Sequence, residues 1–367
     1  MFRNTKAETP NNHDSLIMDI SKYAADAGSY DNLSAFQISQ FFERHRPATI
    51  DGCDRLAADI LSCPVSPTPI QGGSSYTVAA ADHNQASKVV QFRSRKLDME
   101  LIELARQSYG AFVPYCKPHS TMLGDVHVYV WDLVPGLAFC RVRRQFLALD
   151  VGMEQRLYRT TDDFARFFAS AWNNRPAIER PPGLLDEYYG ILDQVSQGLP
   201  EQLQTRLDEV RQGLPLLFRP DYPMAFQHDD LLENNIHVDE TTGRITGIVD
   251  WADAIIAPFG VSLSGIETIL GVQTLTDWHF HPSHLNLRER FWEIFYGEIG
   301  NISEEDRRSI EVARLFGLFR AHGFEEKDKA IIYLEALCSP FRRLPLIAQG
   351  GHKLGGPDAQ PEEPLVV

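Results

Sequence analysis

Between Phe226 and Trp251 the chain gathers carboxylates and amides at spacings that suit one kind of chemistry. His228-Asp229-Asp230 is followed by Asn234-Asn235-Ile236, and a further carboxylate, Asp250, comes after a polar turn over 239–244. A carboxylate can orient and deprotonate a hydroxyl, and an amide with a second carboxylate offers oxygen ligands that hold magnesium over ATP phosphates. The set points to phosphoryl transfer. Asp and Asn are also common turn formers. Two motifs joined by a hairpin of suitable length favour the chemistry over a plain polar turn.

Such residues need a frame. At 367 residues and 41.5 kDa the chain can bury a sizeable core and divides most naturally into two lobes. Helical spacing over 34–42 and 53–61 precedes a Pro-rich connection at 63–69. A strand from Ile70, a Gly72-Gly73-Ser74-Ser75 turn, a strand over 76–80, a polar turn at 82–84 and a strand at Lys88–Arg93 follow. A helix over 97–106 and strands over 113–120 and 125–131 complete an expected five-stranded antiparallel sheet. Val134-Pro135-Gly136 breaks the pattern and marks a lobe boundary.

Beyond it helices dominate. Thr160–Asp163 reads as a capping box ahead of Phe164, and helical patterns recur at 184–197, 200–213, 262–271, 285–299, 304–322 and 327–338. Ser303 is the expected cap of the helix from 304. The organisation is thus an N-terminal extension over 1–65 with short helices, frayed or loosely helical before about residue 30. A β-rich lobe over 66–133, a helical lobe over 134–345 and a Gly- and Pro-containing tail over 346–367, expected to be disordered, complete it.

Composition narrows the function. Hydrophobic residues at 43% and charged residues at 23% describe a globular protein. A net charge of −15 and a pI of 5.2 argue against nucleic acid as a partner, because such binders normally carry a basic face. The acidity serves solubility first and a cationic substrate second. The five cysteines, Cys53, Cys63, Cys116, Cys140 and Cys338, are odd in number and form no Cys-x-x-Cys pair, which argues against a zinc ribbon or a disulfide framework. The first residues lack the apolar core of a signal peptide, and no run of about 18 apolar residues occurs. No membrane partner is expected, and the expected location is cytoplasmic.

The order of β-rich lobe, break, helical lobe, His-x-Asp-x-x-x-x-Asn and later Asp resembles the protein-kinase-like fold. In detail the chain resembles the aminoglycoside phosphotransferase and choline kinase family, which carries His-Gly-Asp-x-x-x-x-Asn-Ile and Ile-Asp-Trp. Here His228-Asp229-Asp230, Asn235-Ile236 and Val249-Asp250-Trp251 stand in those places. The resemblance runs from about Ile70 to Cys338 and is closest to fungal members, with similar wording over 258–263 and at Leu270-Gly271. It implies a bilobal α+β fold, with a small antiparallel-sheet lobe that binds nucleotide and a larger helical lobe that holds the acceptor. It further implies ATP and magnesium (Mg2+) as cofactors and a small hydroxylated molecule as substrate.

Residue roles follow from the same resemblance. Both Asp229/Asn234 and Asp230/Asn235 satisfy the spacing, and the flanks His-x-Asp-Leu and Asn-Ile-x-Val-Asp select Asp230 and Asn235. Asp230 is then the catalytic base, Asn235 and Asp250 hold magnesium, and His228 braces the loop. Asp229 stands at the family's usual Gly. That departure threatens the loop if a positive φ is needed, although Asp is among the better substitutes there.

On the ATP side, Gly72, Gly73, Ser74 and Ser75 occupy the place of a phosphate-covering loop, whose amides and hydroxyls donate to phosphate oxygens. Alignment puts Gln91 where the family carries Lys or Arg, and Gln brings no charge. Arg93 lies on the same strand face and can reach in instead, with Glu103, in preference to Glu100, as its partner. The hinge at Trp131-Asp132-Leu133 is assigned to adenine by position.

Asp253 and Glu267 are candidate contacts for a cationic acceptor, against a preferred solvated or capping role. His279, His281 and His284 read as a surface or pocket-wall loop in preference to a zinc site, since no Cys is nearby in sequence. Arg141, Arg143 and Arg144 read as a solvated face in preference to contacts for phosphate or an anionic acceptor. The main competitor is a catalytically weak or silent relative that binds nucleotide or a small ligand as a scaffold, suggested by Gln91 and Asp229. A protein kinase is disfavoured, since Ala-Pro-Glu does not follow Asp250 and His-Arg-Asp is missing.

Overall fold

The computed structural model describes residues 19–82, 87–177 and 179–338. The tail expected over 346–367 and most of the turn expected at 82–84 lie outside the described residues.

Two helices come first. In α1 (Ala27–Arg44) the Asp26 carboxylate caps the first turn through Ser29 N, and in α2 (Ile50–Leu61) Thr49 caps through Gly52 N. Then follow β1 (Val65–Pro67), β2 (Ser75–Ala80), β3 (Lys88–Arg93), α3 (Met99–Tyr109), β4 (Cys116–Pro118) and β5 (His127–Asp132). The strands form one antiparallel sheet in the order β1-β2-β3-β5-β4. The Pro-rich stretch is therefore more than a connection, because it supplies the edge strand, and the strand expected from Ile70 is a bend. An edge tolerates Pro because one side of its ladder has no partner.

Strand alternation divides the sheet's duties. Tyr76, Val78, Val90, Phe92 and Val128 are buried with Phe41 of α1 and Cys53 and Ala57 of α2 in a small core. The opposite face carries Thr77, Gln91, Arg93 and Tyr129. The register sets Gln91 opposite Thr77 and Tyr129, and Arg93 opposite Ser75 and His127. One face is apolar and packed, and the other presents polar side chains to the second lobe.

The chain crosses over through Val134-Pro135-Gly136. Gly136 has φ of 80°, and a Cβ there would lie 2.2 Å from the Val238 carbonyl oxygen, so the close approach requires glycine. Next come β6 (Leu137–Ala138), α4 (Phe139–Phe146), α5 (Val151–Asn173), α6 (Leu184–Val195) and α7 (Glu201–Gly213). Short strands follow as β7 (Met224–Gln227), β8 (Ile236–Val238), β9 (Ile245–Ile248) and β10 (Ile255–Pro258). The remainder is α8 (Glu267–Leu270), β11 (Gly271–Gln273), β12 (Trp278–Phe280), α9 (His284–Ile299), α10 (Glu304–His322) and α11 (Lys327–Leu337). β6, β8 and β9 form one small sheet, and β7 pairs with β10.

Thr160–Asp163 is not a capping box. Helix α5 starts earlier, at Asp150, whose carboxylate accepts from Gly152 N and Met153 N, because helical spacing continues through 151–159. Thr160 and Asp163 instead hold the β8–β9 hairpin. Thr160 Oγ1 donates to Gly243 O at 2.7 Å, and Asp163 accepts from Arg244 at 2.6 Å and from Ile245 N at 3.1 Å. Ser303 does cap α10, accepting from Asp306 N at 3.0 Å. Among the described residues no helix is long and apolar enough to cross a membrane.

Candidate active site

Strand β7 leads directly into His228, which is 1% exposed. Its Nε2 lies 2.8 Å from Val249 O, and its Nδ1 lies 3.1 Å from Asp230 N. A carbonyl only accepts and an amide only donates, so the ring is neutral with its proton on Nε2. Burial pushes its pKa down, which agrees. The imidazole thus ties the Asp230 loop to the strand end that carries Asp250.

Asn235 is 3% exposed and donates from Nδ2 to Asp230 O at 2.8 Å and to Asp230 Oδ2 at 3.0 Å. Its backbone carbonyl accepts from Val249 N at 2.9 Å, which locks it to the hairpin. Burial raises the Asp230 pKa. The Asn235 hydrogen bond opposes the rise, and the charges of Asp250 and Asp229 add to it.

Asp250 turns the chain in the left-handed region, with φ of 63°, a conformation Asp tolerates better than most residues. Trp251 holds this turn from below. Its Nε1 donates to Ile248 O at 2.8 Å, and its ring packs against His228, Phe226 and Tyr109.

The structure brings Asp230 and Asn235 together and turns Asp229 away. Asp229 makes a two-pronged ion pair with Arg320 of α10, one prong at 2.6 Å, and Asn234 Nδ2 donates to Asn235 Oδ1 at 3.0 Å. Among the described residues only Ser62 and Asp250 have positive φ besides glycines. Asp229 therefore needs no glycine-like angle, and the departure leaves the loop intact.

Arg93 enters from the β-rich lobe. It is 4% exposed, and its Nη1 lies 3.2 Å from Asp250 Oδ1 and 3.3 Å from Gln91 Oε1. Its Nη2 lies 3.4 Å from Ser74 Oγ, and its buried Nε has no partner among the described residues. Gln91 acts as a spacer, accepting also from Trp131 Nε1 at 3.2 Å and donating to Thr77 Oγ1 at 3.3 Å. Gly72 and Gly73 need no positive φ, and a Cβ at Gly73 would meet nothing, so the turn leaves its backbone open. Ser75 N closes it onto Gly72 O at 3.4 Å.

Several expectations need correction. Glu103 is exposed and pairs with Arg106 at 3.5 Å, so the carboxylate that meets Arg93 is Asp250. The α3 register puts Ile102 and Ala105, not Glu103, on the buried face. At the hinge, Asp132 N donates to Tyr115 O and Leu133 N to Ser87 O, while the Asp132 carboxylate pairs with Lys88. A base there would meet other backbone groups than these two amides.

Glu267 is 1% exposed and clamped by Arg288, so it is neither solvated nor open to an acceptor. Arg143 is 5% exposed, with Nη1 2.7 Å from Glu233 and Nη2 3.0 Å from Thr268 O, and is not part of a solvated face. Asp253 is exposed, three residues past Asp250. His279 stacks on Tyr23 with centroids 3.6 Å apart, His281 is buried, and His284 Nδ1 lies 2.8 Å from His281 O.

Nothing in the local sequence singles out Tyr30, Glu233 or Arg320. Tyr30 Oη donates to Glu233 Oε1 at 3.2 Å across 203 residues of sequence, a contact with no local signature. Glu233 was visible only as an acidic residue inside the motif.

The donor set fits magnesium. Asn235 and Asp250 bring an amide oxygen and a carboxylate, both oxygen donors. Among the described residues no three His, Cys, Asp or Glu side chains converge as a ready cage. Oxygen donors of this kind are what a magnesium ion takes, together with water and phosphate oxygens.

Comparison with known proteins adds the family. A model of the phosphotransferase enzyme family matches residues 66–264, more than half of the chain. Among crystal structures, a Ralstonia eutropha protein named provisionally as an aminoglycoside phosphotransferase is similar with a TM-score of 0.50 at 12% identity, over 84% of this chain and 95% of that one. A choline/ethanolamine kinase family protein from Mesorhizobium loti gives 0.49 at 15% identity, over 80% and 95% of the two chains. Spectinomycin phosphotransferase, in complex with ADP and spectinomycin, gives 0.46 at 11%, over 81% and 96%. No curated protein sequence matches. With both motifs and their hairpin inside the matched span, the chain belongs to the phosphotransferase enzyme family and has its bilobal, protein-kinase-like α+β fold.

Proposed function

We propose that this protein transfers the γ-phosphoryl group of magnesium-bound ATP to a hydroxyl of a small metabolite. The contact of buried Arg93 with Asp250 at 3.2 Å carries the reading. It supplies, from the next position on the same strand face, the cation that Gln91 does not, and brings it to the carboxylate assigned to magnesium. Arg93 Nε, buried and without a partner, is a donor suited to a phosphate oxygen.

In this reading Asn235 and Asp250 would hold magnesium, which neutralises phosphate charge when bound. Asp230 accepts the proton of the acceptor hydroxyl, and its raised pKa brings it nearer the strength a general base needs. Neutral His228 and Asn235 keep that carboxylate oriented, so that positioning and fixed dipoles supply most of the acceleration. The turn over 72–75 covers the phosphates. The β-rich lobe over 66–133 binds nucleotide, and the helical lobe over 134–345 holds the acceptor, with exposed Asp253 available to a cationic one. Five unpaired cysteines suit a reducing compartment, so we place the protein in the cytoplasm.

The scaffold reading has one observation in its favour. The Arg93–Asp250 pair engages the magnesium carboxylate, and a protein that never released it would bind ligands without turnover. The test is transfer from labelled ATP and magnesium to panels of cationic and neutral hydroxylated molecules, with wild type and Asp230→Asn. Phosphorylated product from the wild type alone supports the proposal. Equal product from both overturns the role of Asp230, and magnesium-dependent binding without product across the panels favours the scaffold.

A further inference from the structure

Helix α1 lies before residue 66, where the family match begins, and nothing in the catalytic motifs calls for it. Yet it touches both halves of the site. Tyr30 and Ser34, one turn apart on the same helix face, reach opposite lobes. Tyr30 Oη donates to Glu233 Oε1 at 3.2 Å, three residues past Asp230 and two before Asn235. Ser34, 7% exposed, donates to Pro69 O at 3.0 Å and accepts from Gln71 N at 3.2 Å, at the stem of the glycine turn.

We propose that α1 is a strap that fixes the spacing of the glycine turn and the catalytic loop, with Tyr30 and Ser34 as its positioning residues. The inference rests on the reading given under the proposed function.

Both ends are anchored beyond these two contacts. Toward its C-terminus α1 sinks Phe41 into the core under the sheet. Toward its N-terminus Arg141 of α4 binds Asp31 and, at 3.3 Å, Ala27 O. Glu233 is shared with Arg143, which also holds Thr268 O, so the catalytic-loop end is tied to the body of the helical lobe. From the other end a hydrogen-bonded path runs toward Arg93. Gln71 Oε1 accepts from Thr77 N at 2.9 Å, Thr77 Oγ1 accepts from Gln91 Nε2 at 3.3 Å, and Gln91 Oε1 accepts from Arg93 at 3.3 Å. An 18-residue helix is a rod of about 27 Å. It joins the lobes independently of the crossover at Val134-Pro135-Gly136.

The test is whether a perturbation at one end is felt at the other. Tyr30→Phe removes one hydroxyl, and Ser34→Ala removes the other contact. Amide hydrogen exchange is followed on the full chain over 70–76 and 229–236, and magnesium–ATP affinity is measured by calorimetry. A strap predicts that Tyr30→Phe speeds exchange over 70–76 and Ser34→Ala speeds it over 229–236. Each weakens magnesium–ATP binding about threefold to tenfold, the range of one lost hydrogen bond, and the double substitution falls short of the product because both cut one connection. Exchange changes confined to the substituted end would overturn the proposal. If Ser34→Ala does not fold, Tyr30→Phe alone decides. Failure of the wild type to bind magnesium–ATP would remove the functional reading, while the exchange experiment would still decide the strap.

Discussion

Replacing Arg93 by Gln is the most informative perturbation of the site. The guanidinium is 4% exposed and is shared by Asp250, Gln91 and Ser74, so no neighbour takes its place. A hydrogen bond to a charged group is worth about 1.5–3 kcal/mol, and with about 1.4 kcal/mol per factor of ten, magnesium–ATP should bind roughly tenfold to a hundredfold more weakly. Breaking a fully buried ion pair costs about 3–5 kcal/mol, but the Asp250 side chain is 38% exposed and solvent screens it, so about 1–2 kcal/mol of stability is expected to go. Arg93→Lys keeps the charge and loses the planar fork whose two nitrogens are shared among Asp250, Gln91 and Ser74, so its affinity should fall between the two. Adding Gln91→Lys to Arg93→Gln returns a cation to the family's position and should recover part of the loss. Calorimetry gives the affinities, and urea denaturation separates them from unfolding. A dissociation constant for Arg93→Gln within twofold of wild type would refute the assignment of Arg93 to the phosphates.

Three further outcomes follow from other parts of the structure. Asp229→Gly restores the family's usual residue and loses only the half-exposed pair with Arg320, so it should cost about 1 kcal/mol by thermal denaturation and leave phosphoryl transfer largely intact; complete loss of transfer would give Asp229 a larger role. Glu267→Gln leaves Arg288 and Arg314 buried without their shared carboxylate, and should destabilise by about 3–5 kcal/mol; an unchanged urea midpoint would show that the cluster is redundant. Burial lowers His237 and His322 from the ordinary 6.5 to about 4 each, so on acidification the unfolded chain takes up the proton first. Stability is then intact above about pH 6.5 and falls as the pH drops toward 4, by about 3 kcal/mol per histidine at most, and His237→Gln should flatten that part of the profile of unfolding midpoint against pH.

Local structure was legible in the sequence, and distant contacts were not. The Asp230–Asn235 register could be chosen from its flanks because the residues are close in sequence and strand alternation is strict. The helices at Leu184–Val195, Glu201–Gly213, His284–Ile299, Glu304–His322 and Lys327–Leu337 could be read for the same reason, since helical spacing and Ser303 are local signals. The helix expected over 262–271 is instead a 3-10 segment over Val261–Ile266 followed by one α-helical turn and a strand from Gly271. Arg93 was legible as the residue on the Gln91 face, but its partner was not. Choosing Glu103 assumed that α3 points its acidic side inward, and tertiary packing rotated it outward. Thr160–Asp163 shows a second limit, because a good capping sequence lost to an earlier cap at Asp150 once the helix could extend. Glu267, Arg143 and Tyr30 show a third. Burial of a charge depends on a partner far along the chain, and nothing in a residue's own neighbourhood announces it.

The central claim is that Asp250 holds a magnesium ion over ATP phosphates that Arg93 also reaches. Calorimetric titration of ATP with and without magnesium, on the wild type and on Asp250→Ala, tests it most directly. Binding should depend on magnesium in the wild type and lose that dependence in the variant. Binding indifferent to magnesium, or equal in the two proteins, would contradict the metal assignment, and no nucleotide binding at all would contradict the account of the site.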